Sequence, residues 1–424
     1  MANGFSKEEV VAFDQLLEGF QDALVMSKNV SIYRTDQTMM ERTNDTIWRP
    51  QPYIAVTYSG SDATSNFGDY TQLAVPSTIS TQRHAAWQFT AKEMRDALQE
   101  NRISNSAEQR LASDINQSVI DQASYYGGIF IKRAAAATGF DDVAQIEAAF
   151  NETGVQFEDR KLVLSTRDYN GMASDLQKNT RSFGDPISNE ALRRASVGMV
   201  ASFDTYKADY LRRKAAAAGG SSLTIDTRDA AVNYLVPKAT STAATGETNN
   251  VDNRFQTITI SSTASVVAGD AFTIAAVNRV HLITKEDTGQ PMTFRVVSVP
   301  SGTTLVITPP IISNQVAGAA SAQYQNCVVN TKSATSAITF LNTVAGYMNP
   351  FWQKDAIEIL PGRLAVPNDS GAAVMRATTD NGVEVVMQKQ FDINTQKTKF
   401  RVDTLYGVVN KQPSMSGVVM FSQT

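Results

Sequence analysis

The 424-residue sequence predicts an α+β protein whose chain is interrupted by an inserted antiparallel β block. Three observations predict it. Helical periodicity organises residues 5–26 and 90–126. Between Val251 and Ile312 the texture becomes a dense β-meander that begins VDNRFQTITISSTASVVAGDAFTIAAVNRVHLITKEDTG. From Asn349 mixed helix and strand texture returns, so the β block lies within a host domain rather than at its end.

Residues 5–26, FSKEEVVAFDQLLEGFQDALVM, place Val10, Phe13, Leu17, Phe20 and Leu24 three and four apart, the spacing of one helical face. The other face carries Glu8, Glu9, Asp14, Glu18 and Asp22. Ser6 is the expected N-cap, with Glu9 closing a capping box. Such a stripe must be buried, against the protein's own fold or against a partner. Trp48, Pro50 and Pro52 then lead into short β-prone pieces flanking a Gly/Ser/Asp/Asn centre at Ser59–Asp69. That pattern predicts a long hairpin with a polar tip. Arms of about 12–15 residues would reach roughly 40–50 Å, far enough to touch a neighbouring subunit.

Residues 90–126 give the longest helical signal. Leu111, Ile115, Val119 and Ala123 form an i, i+4 row that Ala112 and Ile120 widen. A kink is expected at Asn101–Asn105, and Gly127-Gly128 should end the helix. Helices are then expected at DDVAQIEAAFNETG, NEALRRASVG and FDTYKADYLRRKAAAAGG, with a strand at KLVLST. Residues 237–253 are a polar, low-complexity loop with almost no apolar anchor, expected to be mobile. The strands RFQTITIS, DAFTIAAV, MTFRVVSV and TTLVITP follow, with turns at Ala268-Gly269-Asp270 and Pro300-Ser301-Gly302. Close spacing of short strands predicts a small barrel or sandwich. Residues 333–346 read as helical, and NPFWQKDAIEILPGRLAVP, VEVVMQKQFD, KTKFRVDTLYGVV and SGVVMF as mixed α/β texture.

Composition narrows the function. Hydrophobic residues make up 42%, which suits packed cores, and the length suits about two to four domains. With 38 basic and 42 acidic residues the net charge is −4, so no overall field gathers nucleic acid or anionic lipid. One cysteine, Cys327, rules out an intramolecular disulfide. MANGFSKEEV shows no secretory signal, and no apolar run has the ~18 residues of a membrane helix. A soluble cytoplasmic product is expected. The only histidines, His84 and His281, lie outside any catalytic or metal motif, and structural roles are expected for them and for Cys327. Nucleotide-binding glycine motifs are absent. Arg193-Arg194 and Arg212-Arg213-Lys214 read as solvated helix faces, and Asp141, Asp142 and Asp159 as caps or loop charges. No catalytic, cofactor-binding or metal-ligating residue is assigned.

Six segments together resemble the coat proteins of short-tailed phages of enteric bacteria: TNDTIWRP (43–50), VDNRF (251–255), AGDAFTIAAVNRVHLIT (268–284), TFRVVSV (293–299), LVITP (305–309) and NPFWQKDAIEI (349–359). The resemblance covers most of the chain and is strongest at 251–312 and 349–360. It implies the tailed-phage major capsid fold, comprising an N-terminal arm at 1–30, an extended loop at 45–82 and a spine helix at 92–126. A peripheral domain would comprise 31–44, 83–134 and 381–424, and an axial domain 135–222 and 336–380. The insertion domain would be a six-stranded barrel at 223–335. It further implies pentamers and hexamers of this chain in an icosahedral shell, a scaffolding protein, a portal protein, and double-stranded DNA enclosed without sequence-specific binding. The virion is the expected location, after synthesis in the host cytoplasm. Asp14 and Glu18 are candidates for scaffold docking, and Trp48, Asp62 and Asp69 for contacts between subunits. Two rival readings are a β-rich virion module that recognises carbohydrate or a host surface, and an enzyme with a carboxylate site. The absence of tryptophan from the insert weakens the first, and the scarcity of histidine and cysteine the second.

Overall fold

The computed structural model describes residues 5, 7–33, 46–52, 55, 57–67, 70–90, 93, 97–179, 198–219, 223–226, 233–313, 315, 319–329, 335–366, 371–379 and 382–424. The chain divides into two compact units. Unit 1 comprises Met1–Ile47, Ser77–Ile120 and Ile357–Val409; unit 2 comprises Trp48–Pro76, Asp121–Ala356 and Asn410–Thr424. Ser6, Asp69 and the stretch NEALRRASV with Arg193-Arg194 lie outside the described residues.

Unit 1 is built on a six-stranded sheet. Its strands run in the order Ser31–Ile32, Ile357–Pro361, Lys397–Asn410, Glu384–Asp392, Ala373–Thr378, and Thr81–Thr90 also pairs with Lys397–Asn410. Helix α1 (Lys7–Ala23) buries Phe13, Leu16 and Phe20, followed by Leu24 just beyond its end. The buried stripe is thus rotated from the expected one, since Val10 is 40% exposed and Leu16 is buried. Asn116 of α2 (Ala97–Tyr126) closes the end of α1. Its Oδ1 accepts from Met26 N at 3.1 Å, and its Nδ2 donates to the Ala23 carbonyl at 2.9 Å. Carbonyls orphaned at a helix terminus require such partners.

α2 has 30 residues, about 45 Å at 1.5 Å per residue. It passes through Asn101–Asn105 without a break, contrary to the expected kink. Asn and Ser cost only tenths of a kcal/mol each inside a helix, and propagation from a long flank outweighs that. The expected row Leu111, Ala112, Ile115, Val119, Ile120 and Ala123 is buried throughout. Gly127 and Gly128 stop the helix where backbone meets backbone. A Cβ on Gly127 would stand 2.9 Å from Cα of Gly417, and one on Gly417 would overlap the Ile129 carbonyl oxygen.

Unit 2 holds two large sheets. The first runs Ile129–Lys132, Ser416–Met420, Asn349–Gln353, Arg160–Ser165, Phe203–Ala208, Met199–Val200. Helix α3 (Phe140–Thr153) is capped as expected by Asp142, whose Oδ2 accepts from Thr138 N at 2.7 Å. The Phe150 ring meets those of Phe203 and Phe351 at centroid distances of 5.5 and 5.2 Å. Beside them Arg160, 1% exposed, donates to the carbonyls of Gln156 and Val155 and stacks on Phe150, Phe157 and Phe203. The segment FDTYKA expected to be helical is instead the strand Phe203–Ala208, parallel to Arg160–Ser165. Its Phe203 and Ala208 are buried and complete this sheet, so tertiary pairing overrides a helical pattern that was weak.

The second sheet lies between Thr224 and Phe340. Its strands run Thr224–Asp226, Thr335–Phe340, Ala271–Val280, Asp287–Ser298, Thr304–Thr308, Gln256–Thr259, all antiparallel, with Cys327–Val329 added beside Ala271–Val280. A bridge between Ile225 and Ile260, with Ser261 N donating to Thr224 O at 2.9 Å, joins the first strand to the last. The six-strand circuit therefore closes, around Phe272, Phe294, Ile258, Ile274, Ile307 and Ile338. Residues 335–340, expected to be helical, form one of these strands, with Ile338 facing the core. Part of the expected loop 237–253 is a fully exposed hairpin, Thr240–Thr242 against Thr248–Asn250, turned at Gly246 (φ +85°).

A buried ion pair joins the barrel to its surroundings. Lys214 Nζ lies 3.0 Å from Asp270 Oδ1, and Asn342 Nδ2 donates to the same oxygen at 3.0 Å. Asp270 and Asn342 are fully buried. Nearby, Arg295 donates to the Ser124 carbonyl at 2.5 Å and lies 5.3 Å from the Phe130 ring centre. Burial pushes Arg295 down to about 10, with Asp270 opposing. Breaking a buried pair strands the surviving charge, at a cost of about 3–5 kcal/mol, whereas replacing both partners by apolar groups is often neutral. Asp270→Leu should therefore lower the urea unfolding midpoint sharply, and Lys214→Met with Asp270→Leu should recover most of the loss.

Candidate interaction surfaces

The extended segment leaves through the strand Thr46–Pro50 and returns through Ala74–Thr78, which pair as a two-stranded sheet. Its base in unit 2 is anchored by Tyr324, whose hydroxyl accepts from Leu73 N and donates to Thr71 O, each at 3.2 Å. Gln72 Nε2 donates to the Gln51 and Leu73 carbonyls. Arg254 is held by a 2.7 Å ion pair with Asp252 and donates to Asn410 O at 2.8 Å. Beyond this base, residues 57–65 are all exposed, as are Phe67 and Tyr70. The tip is less polar than the sequence suggests, because Tyr58, Phe67 and Tyr70 are 62, 86 and 52% exposed.

Of the contact candidates on this segment, Asp62 is exposed and satisfied locally. Its Oδ1 accepts from Thr64 N at 2.9 Å and Thr64 Oγ1 at 2.6 Å, an Asx-type turn. These two bonds hold its carboxyl below the usual carboxylate range. Trp48 is half-buried on its strand, and Asp69 is among the undescribed residues.

On α1, Asp14 and Glu18 are both exposed. Glu9, expected on a solvated acidic face, is buried, and its capping box with Ser6 falls outside the described residues. Glu9 is 5% exposed and pairs with Lys389 at 2.6 Å. Lys389 in turn lies 5.8 Å from the Phe400 ring centre. Gly19 gives α1 its close approach to α2, since any Cβ there would overlap the Glu108 carboxylate. Phe13, Leu16 and Phe20 of the arm are thus buried within unit 1, while Asp14 and Glu18, together with Val10 and Val11, stay exposed.

The remaining titratable candidates hold local structure. His281 Nδ1 accepts from Ile283 N at 3.3 Å and Thr284 N at 3.2 Å, organising the turn that follows its strand. His84 is exposed on Thr81–Thr90, in register with Asp403. Cys327 is fully buried in the barrel core. Arg212 lies on neither a helix nor a strand and makes a two-point contact with Asp121 at 3.1 Å, while Arg213-Lys214 form a short strand. Among the described residues, no three His, Cys, Asp or Glu side chains come together, and no helix is long and apolar enough to cross a membrane. Sequence reasoning missed Tyr324, Arg254 and the Lys214–Asp270 pair. Apart from Asp252, two residues from Arg254, their partners are far away in sequence, and only the Ala268-Gly269-Asp270 turn marked the neighbourhood.

Comparison with known proteins supplies the context for these surfaces. Residues 1–422 match the family described as P22 coat protein, gene protein 5. The chain is similar to the CUS-3 coat protein I-domain, 42% identical over 29% of this chain and 98% of that one, with a TM-score of 0.22. It is also similar to the capsid structure of the cyanophage P-SCSP1u, at 12% identity, 93% and 87% coverage and a TM-score of 0.43. The mature capsid of bacteriophage PhiM1 gives 10% identity, 93% and 86% coverage and a TM-score of 0.42. With the family match extending over residues 1–422, the chain belongs to the P22 coat protein family and is a structural major capsid protein.

Proposed function

We propose that this chain builds an icosahedral shell from pentamers and hexamers of itself, guided by a scaffolding protein and interrupted by a portal, around double-stranded DNA held without sequence-specific contacts. Its only work is assembly, with no reaction catalysed, and it is made in the host cytoplasm before it enters the virion. The observation that carries this reading is the family match over residues 1–422. The exposed tip at 57–67, which bears aromatic rings in solvent, supports it as a means of reaching a neighbour. Large exposed apolar groups are characteristic of interaction surfaces. Segments 1–30, 45–82 and 223–335 would serve as arm, extended loop and insertion domain, with 31–44, 83–134 and 381–424 as the peripheral domain and 135–222 and 336–380 as the axial one.

Many weak contacts made at once suffice for a shell, and closed symmetry limits its growth. Sedimentation of the purified chain with a scaffolding protein should therefore show large closed particles; a chain that stays monomeric at concentrations where scaffold binds refutes the reading.

Trp48, Asp62 and Asp69 would face a neighbouring subunit. Protease should cut residues 57–67 quickly in the free subunit and slowly in the shell; equal rates would remove the loop from the interface.

Asp14 and Glu18 would dock a basic scaffold segment. Exposed pairs contribute only ~0.2–1 kcal/mol each and weaken with salt, which suits a partner that later leaves. Asp14→Lys with Glu18→Lys should slow scaffold-directed assembly at low salt and leave the unfolding midpoint unchanged. An unchanged assembly rate with unchanged salt dependence excludes docking through these charges.

A further inference from the structure

Unit 2 contains a cavity of about 150 Å³ beside the base of the extended segment. The barrel contributes Leu282, Lys285, Pro309, Ile312 and Gln323 to its wall, the extended segment Gln51 and Leu73, and the C-terminal segment Gln412 and Met415. In a chain of net charge −4, the charged residues lining it are two cations, Arg254 and Lys285, and no acid.

The two cations are not equivalent. Arg254 is saturated by Asp252 and the Asn410 carbonyl. Lys285 makes one hydrogen bond, from Nζ to the Gln325 carbonyl at 3.0 Å. An ammonium has three donors, so two are left without a protein acceptor among the described residues, on a side chain that lines the cavity. Burial, unopposed by any neighbouring acid, pushes Lys285 down to about 8. Gln323 is only 8% exposed, yet its Oε1 has no partner. Turning the carboxamide presents its N–H donors to the same space. Two of the other polar walls are fixed. Asn326 accepts from Ile312 N and donates to Pro310 O, and the Tyr324 hydroxyl is committed to Leu73 N and Thr71 O.

Buried polar groups without partners cost free energy unless a ligand or water completes them. A space several times the ~30 Å³ share of one water admits more than a single solvent molecule. One uncompensated positive charge matches one negative charge. A flat carboxamide in the same cavity wall suits a planar, two-oxygen anion, and Leu282, Pro309 and Ile312 suit an attached methylene or two. We propose that this cavity is a socket for one carboxylate group, carried by a second copy of the chain or by a small free acid. The first source rests on the self-assembly proposed above; the second does not.

The test follows the Lys285 ammonium by NMR in the full-length chain labelled with 13C-lysine, using propionate as the probe. Propionate should raise its titration midpoint saturably, by about one pH unit or more, because an adjacent anion favours the charged form. Propionate should also raise the melting temperature of the wild-type chain but not of Lys285→Met, and Gln323→Leu should weaken binding several-fold. A second arm measures Lys285 in assembled shells without propionate. A raised midpoint there assigns the carboxylate to a second copy; a midpoint still near 8 in shells, with propionate binding the free chain, assigns it to a small acid. A Lys285 midpoint that moves in neither arm overturns the socket. If no shell forms, the propionate arm still decides, so failure of the assembly reading and failure of the socket are distinguishable.

Discussion

An inserted domain can leave its host intact only if its two connections to the host lie side by side. Here that constraint is met by one strand pair. Thr224–Asp226, where the chain enters the barrel, pairs antiparallel with Thr335–Phe340, where it leaves. Just outside the pair, Ala217 N donates to Asn342 O at 2.8 Å and Asn342 Nδ2 donates to Ala215 O at 3.2 Å. Asn342 thus ties incoming and outgoing chain together and turns its amide to Asp270. The Ile225–Ile260 bridge closes the circuit, leaving the barrel no long unpaired edge. For a protein that must meet many copies of itself at high concentration, a closed sheet removes one route to indiscriminate strand pairing.

Charge is handled differently in the interior and on the reaching parts. Arg160, Arg295, Lys214 and Asp270 are all buried, and each is tied to carbonyls, rings or an opposite charge. Such arrangements contribute little net stability over apolar packing, because desolvation offsets most of the attraction. Their geometry is demanding, however, which fixes orientation at the places where the barrel, α2 and the first sheet of unit 2 meet. Asp14, Glu18 and Asp62 instead keep their carboxylates in water. Salt-sensitive contacts of modest strength are what reversible association requires.

Local pattern was a good guide wherever one element makes its own decision. The buried row of α2, the Asp142 cap of α3 and the strands DAFTIAAV, MTFRVVSV and TTLVITP were legible because 3.6-residue and two-residue periodicities and turn residues are written in neighbouring positions. Pattern failed where the deciding partner is distant. FDTYKA looks helical until Arg160–Ser165 offers it a parallel edge, and residues 335–340 look helical until they close a barrel begun over a hundred residues earlier. On α1 the stripe was rotated by part of a turn, because Lys389 draws Glu9 inward and Val10 outward.

The sequence by itself determined that this is an α+β chain with a β insertion and that it resembles a coat protein. Those conclusions depend on composition, periodicity and ordered motifs, which need no folding to be read. Only the tertiary structure decided that the arm's apolar face is occupied, that Asp62 bonds to its own turn, and that Lys285 stands in a cavity without an acid. The first and third are questions of which groups compensate one another across 40 to 380 residues of chain, or fail to, whereas the second is settled within one turn. Burial makes the answers matter, because a buried charge or amide must find its partner in the fold or in a ligand.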